Sequence, residues 1–171
     1  ARSGKSGFAQ KLAGRRGGDQ VLFVATAEAG DEEMSRRIQA HRRSRPASWR
    51  TVEASLQVGQ AVADAAREAK VVLVDCLALL VSNAMLALAD PLDAAAAESA
   101  VMEEVGNLLE AVANTPADLI LVTNEVGLGL VPEYPLGRLY RDLLGLANRT
   151  VAARANRVYL MVAGLPVDVR R

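Results

Sequence analysis

The chain opens with Ala1-Arg2-Ser3-Gly4-Lys5-Ser6, and the Gly4-Lys5-Ser6 part of this stretch decides the fold. It matches the second half of the phosphate-binding P-loop, G-x-x-x-x-G-K-[ST], whose first glycine would fall two residues before Ala1. In this motif the Gly4 backbone approaches phosphate oxygens, the Lys5 ammonium reaches the β- and γ-phosphates, and the Ser6 hydroxyl suits Mg²⁺. Because a P-loop normally follows a buried strand, we expect that strand and the first glycines to precede Ala1.

The composition limits the classes of function that the chain can have. Its 171 residues suffice for one domain with a sizeable core. The 20 Lys and Arg residues balance 20 Asp and Glu residues, which disfavours a general nucleic-acid or membrane-surface role. The single cysteine, Cys76, excludes a disulfide framework and fits a reducing cytoplasm. No apolar run is long enough to cross a membrane.

Short apolar runs alternate with helical segments along the chain. We predict strands over 21–25, 71–75, 119–122 and 158–162. We predict helices over 6–16, 55–69, 77–89, 94–113 and 136–155, and one that Asp31 caps. The alternation indicates a single α/β nucleotide-binding domain over residues 1–171, with a mainly parallel sheet and helices on both faces. Ligands of such sheets bind at the C-terminal strand edge, where Ala25-Thr26, Asp75 and Asn124-Glu125 fall.

Asp75 ends a strand of four apolar residues, as the Mg²⁺-directing carboxylate of P-loop NTPases does. A helix N-cap or a solvent contact is the alternative interpretation. Taken with Gly4-Lys5-Ser6, the position favours a Mg²⁺ site formed by Ser6 and Asp75.

His41 is the only histidine, so any imidazole chemistry must use it. Four arginines follow it within ten residues: Arg42, Arg43, Arg45 and Arg50. Such a cluster suits a polyanion such as triphosphate, and it favours the neutral, nucleophilic form of the imidazole. The alternative is an arginine-rich solvated face paired with the acidic residues over 31–33.

Three other positions have two interpretations each. We interpret Cys76 as a small buried hydrophobe rather than a reactive thiol. Trp49 is interpreted as a packing anchor rather than a platform on which a base stacks. Glu125 lies in the Gly- and Pro-containing stretch over 123–133, which forms either a wall of the site or a turn with a structural role.

Taken together, these motifs resemble the bifunctional adenosylcobinamide kinase / adenosylcobinamide-phosphate guanylyltransferase family of cobalamin biosynthesis. The resemblance extends along nearly the whole chain in the family's order, and the His41 segment and the Asn124-Glu125-Val126-Gly127 loop are its most specific parts. The matching segments lie at 1–6, 24–27, 31–34, 37–38, 41–42, 45–46, 49–53, 74–77, 82–83, 123–132, 141–142, 148 and 162–164.

The resemblance implies a RecA-like P-loop NTPase fold, a homotrimer, and two reactions. The family phosphorylates adenosylcobinamide with ATP or GTP. It then transfers GMP from GTP to the phosphorylated product through a GMP-histidine intermediate, giving adenosylcobinamide-GDP and pyrophosphate. The family's histidine falls on His41, and Lys5 would stabilise charge on the transferred γ-phosphoryl group with Mg²⁺ held by Ser6 and Asp75. The implied nucleotide contacts are Ala1, Arg2, Ser3, Gly4, Lys5, Ser6, Ala25, Thr26, Ala27, Arg42, Arg43, Ser44, Arg45, Glu53 and Asp75.

Two other functions stay open at this point. One is a monofunctional P-loop kinase for a small molecule, in which His41 is structural. The other is a nucleotide-binding regulatory protein that turns over no substrate.

Overall fold

The computed structural model of the chain describes residues 3–28, 32, 36, 39, 42–43 and 45–170. Its strands are β1 (Val21–Ala25), β2 (Arg50–Glu53), β3 (Val71–Asp75), β4 (Asp118–Val122), β5 (Tyr159–Val162) and β6 (Leu165–Asp168). Its helices are α1 (Lys5–Gly17), α2 (Val58–Ala65), α3 (Leu77–Leu86), α4 (Ala94–Ala113) and α5 (Pro135–Arg154). Residues 32, 36, 39, 42 and 43 are helical, but Asp31, the predicted cap of that helix, lies outside the described residues.

Four strands form a parallel sheet in the order β2-β1-β3-β4. Ala25 pairs with Glu53 on one side and with Asp75 on the other, and Asp75 pairs with Val122. These four residues therefore form one row across the C-terminal edge of the sheet. After β1 the chain adds β2 on one side of that strand, and it then adds β3 and β4 on the other side. The direction in which strands are added therefore reverses between β1 and β3. Ligands of open α/β sheets bind at such a reversal.

Helices cover both faces of this sheet, as the sequence predicts. On one face, Ala9 and Ala13 of α1 pack with Phe23 and Leu73. On the other face, alternate residues of the same strands, such as Val24 and Val74, join a larger cluster to which α2, α3, α4 and α5 contribute. β1 and most of β3 are buried, which explains why they read as continuous apolar runs in the sequence.

Gly4 lies immediately before α1 with a φ of +89°, a conformation that residues with a Cβ rarely adopt. A Cβ built at this position would lie 3.3 Å from Cα of Gly164, in the turn between β5 and β6. The glycine that the P-loop pattern places before the lysine therefore also has a packing cause in this fold.

The last predicted strand lies in a different sheet from the one expected. β5 does not extend the parallel sheet but pairs antiparallel with β6, which was not predicted. The turn between them uses Ala163 and Gly164, both at positive φ, which is the backbone geometry of a tight hairpin. The strand predicted over 158–162 is therefore present as β5, but it does not belong to the parallel sheet and it is not the last strand of the chain.

One strand was missed, and several helix boundaries differ from the sequence prediction. The helices predicted over 55–69 and 77–89 end at Ala65 and Leu86. β2, over a polar stretch that is mostly exposed, was not predicted as a strand. The helix predicted from residue 55 begins only at Val58, because the Glu104 carboxylate accepts hydrogen bonds from the backbone N–H groups of Gln57 (2.7 Å) and Val58 (3.3 Å). A side chain from α4 thus satisfies the N-terminal donors and fixes where α2 starts.

The contact between α2 and α4 gives a first testable prediction. A Cβ at Gly59 would lie 2.6 Å from the backbone carbonyl atoms of Asn107. Gly59→Ala must therefore push the two helices apart, and we expect it to lower the free energy of unfolding by about 2 kcal/mol despite the better helix propensity of alanine. Urea unfolding followed by circular dichroism measures this change.

Gly106→Ala is the matched control, because Gly106 lies in α4 and has no atom within 4 Å of its built Cβ. That substitution is expected to raise the free energy of unfolding by up to about 1 kcal/mol. Equal stabilisation by both substitutions would show that the α2–α4 contact does not require glycine.

Candidate nucleotide-binding site

The start of α1 provides a site for an anion. Lys5 is the first residue of the helix, Ser6 the second, and both are partly buried. The first turn of α1, which is fully described, contains no acidic residue. Its backbone N–H groups and the positive end of the helix dipole are therefore not neutralised from within the turn.

Lys5 lies near the carboxyl end of β3. Burial is the largest cause that raises the pKa of the Cys76 thiol, and the charge of Asp75 raises it further, whereas the ammonium of Lys5 lowers it. Lys5 and Asp75 thus both act electrostatically on the residue that separates β3 from α3. The raised pKa keeps the thiol protonated at neutral pH and supports the interpretation of Cys76 as a packing residue.

Asp75 ends β3 and is partly buried. α3 begins at Leu77 and the residue before it is Cys76, so Asp75 lies one position too early to be the helix N-cap. The N-cap interpretation of Asp75 was therefore wrong. The residue instead lies in the row of strand ends beside Ala25.

An arginine-lined cavity of about 740 Å³ opens beside the same edge. Its lining contains three of the predicted cationic contacts and one predicted carboxylate, and it continues onto the segment before β2. The lining residues are Arg42, Arg43, Arg45, Pro46, Ala47, Trp49, Thr51 and Glu53. The size and the positive charge of the cavity suit a nucleotide with its phosphates.

Arg45 lines this cavity and interacts electrostatically with Asp75. Its guanidinium carbon lies 3.5 Å from the ring centroid of Phe23, a cation–π contact with the middle of β1. Within the described part of the chain, its Nε and Nη1 atoms are buried and have no hydrogen-bond partner. Burial lowers the pKa of Arg45, and the carboxylates of Asp75 and Glu53 oppose that effect. A phosphate oxygen would supply the partner that these donor atoms lack.

Arg42 forms an ion pair with Glu53, the last residue of β2. Both side chains are about half exposed, so the pair contributes little to stability. The pair instead holds the end of β2 beside Arg42, the residue that follows His41 in the sequence.

Trp49 is buried, with 7% of its surface exposed, and its indole N–H donates to the carbonyl of Gly18 at 3.0 Å. The interpretation as a packing anchor is confirmed. The same side chain borders the cavity and packs in the hydrophobic cluster that includes Ala9 and Ala13 of α1.

Thr26 is fully buried, and it joins β1 to β3. Its hydroxyl donates to the carbonyl of Cys76 (2.8 Å) and accepts from the Cys76 N–H (2.7 Å). The predicted nucleotide contact of Thr26 stays a prediction, as do those of Ala25 and Ala27, which flank it.

The loop after β4 is held at both ends. Asn148 of α5 donates to the carbonyl of Asn124 at 2.9 Å and accepts from the Thr123 hydroxyl at 2.6 Å. The Glu125 carboxylate accepts from the N–H of Gly127 at 3.0 Å, so in this structure Glu125 stabilises a turn. At the other end, Arg138 donates to the carbonyl of Pro132 at 3.1 Å. The loop nevertheless exposes large apolar side chains, among them Leu128, Leu130 and Tyr134.

The available donors fit a magnesium ion better than a metal that needs an all-protein ligand set. Among the described residues, no three His, Cys, Asp or Glu side chains converge as metal ligands would. Mg²⁺ is commonly held by one or two protein oxygens together with waters and substrate phosphates. The Asp75 carboxylate and the Ser6 hydroxyl are oxygen donors of that kind.

The predicted contacts Ala1, Arg2, His41 and Ser44 lie outside the described residues. Of the other predicted contacts, the structure places Ala25, Glu53 and Asp75 in one row of strand ends, and Arg42, Arg43 and Arg45 on one cavity. Sequence reasoning missed the roles of Phe23, Asn83 and Asn148. Asn83 and Asn148 are polar residues within helices and lie in segments that match the family, and these are the two signals that could have indicated their roles.

None of the helices in the described part of the chain is long and apolar enough to span a membrane.

Comparison with known proteins gives a consistent result. The family model described as cobinamide kinase / cobinamide phosphate guanyltransferase matches residues 1–169. The chain is 40% identical to the bifunctional adenosylcobalamin biosynthesis protein CobU of Escherichia coli, over 99% of this chain and 96% of that protein. It is 42% identical to the bifunctional adenosylcobalamin biosynthesis protein CobP of Pseudomonas aeruginosa, over 99% and 93%. The chain belongs to the cobinamide kinase / cobinamide phosphate guanyltransferase family.

Proposed function

We propose that the chain catalyses both reactions of its family. It phosphorylates adenosylcobinamide with ATP or GTP and then transfers GMP from GTP to adenosylcobinamide-phosphate, releasing pyrophosphate. Both reactions need a site that holds a triphosphate.

The observation that carries this proposal is the arrangement at the sheet edge. Arg45 lines the cavity, and it interacts electrostatically with Asp75 at the end of β3. Lys5 and Asp75 both act electrostatically on Cys76, the residue that follows β3. We therefore expect the strand end and the cavity to form one site, in which a bound triphosphate contacts Lys5 and the arginines at once.

In the kinase reaction, the aminopropanol hydroxyl of adenosylcobinamide attacks the γ-phosphorus of the donor. The new O–P bond forms as the bond between the γ-phosphorus and the bridging oxygen breaks, and the hydroxyl proton leaves to solvent. Lys5 stabilises the negative charge that spreads over the transferred group. Mg²⁺ held by Ser6 and Asp75 would neutralise further charge on the phosphates when it is bound.

In the guanylyl reaction, a ring nitrogen of His41 attacks the α-phosphorus of GTP and pyrophosphate leaves. A phosphate oxygen of adenosylcobinamide-phosphate then attacks the same phosphorus and breaks the N–P bond, which restores His41. Arg42, Arg43 and Arg45 neutralise the pyrophosphate as it forms. The covalent step divides a difficult transfer between two anions into two easier ones.

The setting of the reactions is part of the proposal. We place the enzyme in the cytoplasm, where both nucleotide donors occur, and expect it to assemble as a homotrimer with its sites near the subunit clefts. Sedimentation equilibrium of the purified chain measures the assembly, and a monomer at all concentrations would contradict this part of the proposal.

Separate isotopic labels test the two reactions. GTP labelled at the γ-phosphate should transfer its label to adenosylcobinamide, and GTP labelled at the α-phosphate should label first the protein and then adenosylcobinamide-phosphate. Transfer of the γ-label without any α-label on the protein would favour a monofunctional kinase. Nucleotide binding with neither transfer would favour the regulatory protein.

A further inference from the structure

Asn83 of α3 connects two strand ends through its side-chain amide. Its Nδ2 atom donates to the carbonyl of Thr26 at 2.9 Å and to the carbonyl of Ser55 at 3.0 Å. Thr26 directly follows β1, and Ser55 lies two residues beyond the end of β2. Both hydrogens of one amide group are therefore used to hold two neighbouring chain segments where they leave the sheet.

Thr26 extends this connection to β3. Besides the two bonds between its hydroxyl and the backbone of Cys76, its N–H donates to the carbonyl of Asp75 at 3.3 Å. Thr26 is fully buried and Asn83 is partly buried, so water competes little for these bonds. Asn83 and Thr26 together join the C-terminal ends of β2, β1 and β3.

These three ends carry the two halves of the site. The end of β3 carries Asp75, which belongs to the phosphoryl-transfer half with Lys5. The end of β2 carries Glu53, which pairs with Arg42 beside the proposed nucleophile. The last β1–β2 bond at this edge runs from Ala54 N–H to the Ala25 carbonyl at 2.9 Å, and the bond from Asn83 to Ser55 lies beyond it.

We infer that Asn83 and Thr26 are positioning residues that fix the Glu53–Arg42 pair relative to Asp75. This inference rests on the proposed function, because it assigns a role to that separation in the two transfers. A triphosphate bound to both halves has its α- and γ-phosphorus atoms a fixed distance apart. The protein must therefore hold the attacking groups at a matching separation, and displacements of about 1 Å can cost on the order of 100-fold in rate.

Asn83→Ala removes both donors and tests the inference. The α- and γ-label assays give kcat and KM for each transfer, and the fluorescence of Trp49, the only tryptophan and a cavity residue, gives the affinity and stoichiometry of GTP binding. We expect kcat per binding site to fall about 10- to 100-fold in both transfers, with a much smaller change in GTP affinity. Asn107→Ala, at an exposed position of α4, is the matched control and should match the wild type.

A purely structural role would give a different result. It would lower the number of GTP-binding sites and leave kcat per site unchanged. Thr26 supplies a second test that does not depend on the folding of Asn83→Ala. Thr26→Val removes the hydroxyl at similar volume, and it should lose kcat per binding site as Asn83→Ala does, with a much smaller change in GTP affinity.

The outcomes separate the inference from the function on which it rests. A wild-type chain that performs neither transfer overturns the proposed function and this inference with it. An active wild type, with Asn83→Ala unchanged in kcat per site or with Thr26→Val losing GTP affinity rather than kcat per site, overturns the inference alone.

Discussion

Replacing Lys5 with alanine is expected to slow phosphoryl transfer to adenosylcobinamide by about 10²- to 10³-fold. Lys5 is the first residue of α1, and no acidic side chain in the first turn neutralises the positive end of the helix dipole. The backbone N–H donors of that turn are fixed in place, whereas the lysine side chain can move. The ammonium is the group that can follow the γ-phosphoryl group as negative charge develops on it. Steady-state transfer of γ-label at saturating nucleotide measures the loss.

The same substitution should also slow the formation of labelled protein from α-labelled GTP. In the proposed mechanism Lys5 holds the triphosphate during both reactions, so its loss affects both. Lys11→Ala is the matched control, because Lys11 lies on the same helix with an exposed side chain. If Lys5→Ala transferred γ-label at the rate of Lys11→Ala, the start of α1 would not be the phosphate site.

The two central strands, which are buried on both faces, could be predicted directly from the sequence. β1 and β3 read as uninterrupted apolar runs because helices cover both of their sides. β2 could not be found in this way, since it lies at the edge of the sheet with mostly exposed side chains. The sheet to which β5 belongs was predicted wrongly for the opposite reason. Its residues are apolar, yet they form a mostly exposed hairpin with β6.

The candidate site likewise contains residues that could be predicted from the sequence and contacts that could not. Lys5, Asp75 and the arginines could be predicted because their charges serve phosphate chemistry whatever surrounds them. The contact of Arg45 with Phe23 and the bonds of Asn83 depend on segments far apart in the sequence, and Asn83 and Thr26 are 57 positions apart. Such pairings follow from the strand order β2-β1-β3-β4, which the composition of the individual segments does not specify.

Replacing His41 with alanine is expected to abolish the protein-bound label from α-labelled GTP and to leave phosphoryl transfer to adenosylcobinamide in place. The two reactions separate because γ-transfer uses Lys5 and the Asp75 end of the site, whereas guanylyl transfer needs a nitrogen nucleophile. His41→Asn provides a second variant, since an amide of similar size is not nucleophilic. Wild-type label should be lost in acid and retained in base, as expected of a bond between phosphorus and an imidazole nitrogen.

The single histidine of the chain makes the result of this experiment unambiguous. A lysine would also form an acid-labile N–P bond, so the stability of the label by itself does not identify the nucleophile. Label that persists in His41→Ala must come from another residue, and it would overturn the assignment of His41. Loss of label in His41→Ala with γ-transfer retained, beside loss of both in Lys5→Ala, would establish one nucleotide site with two separable reactions.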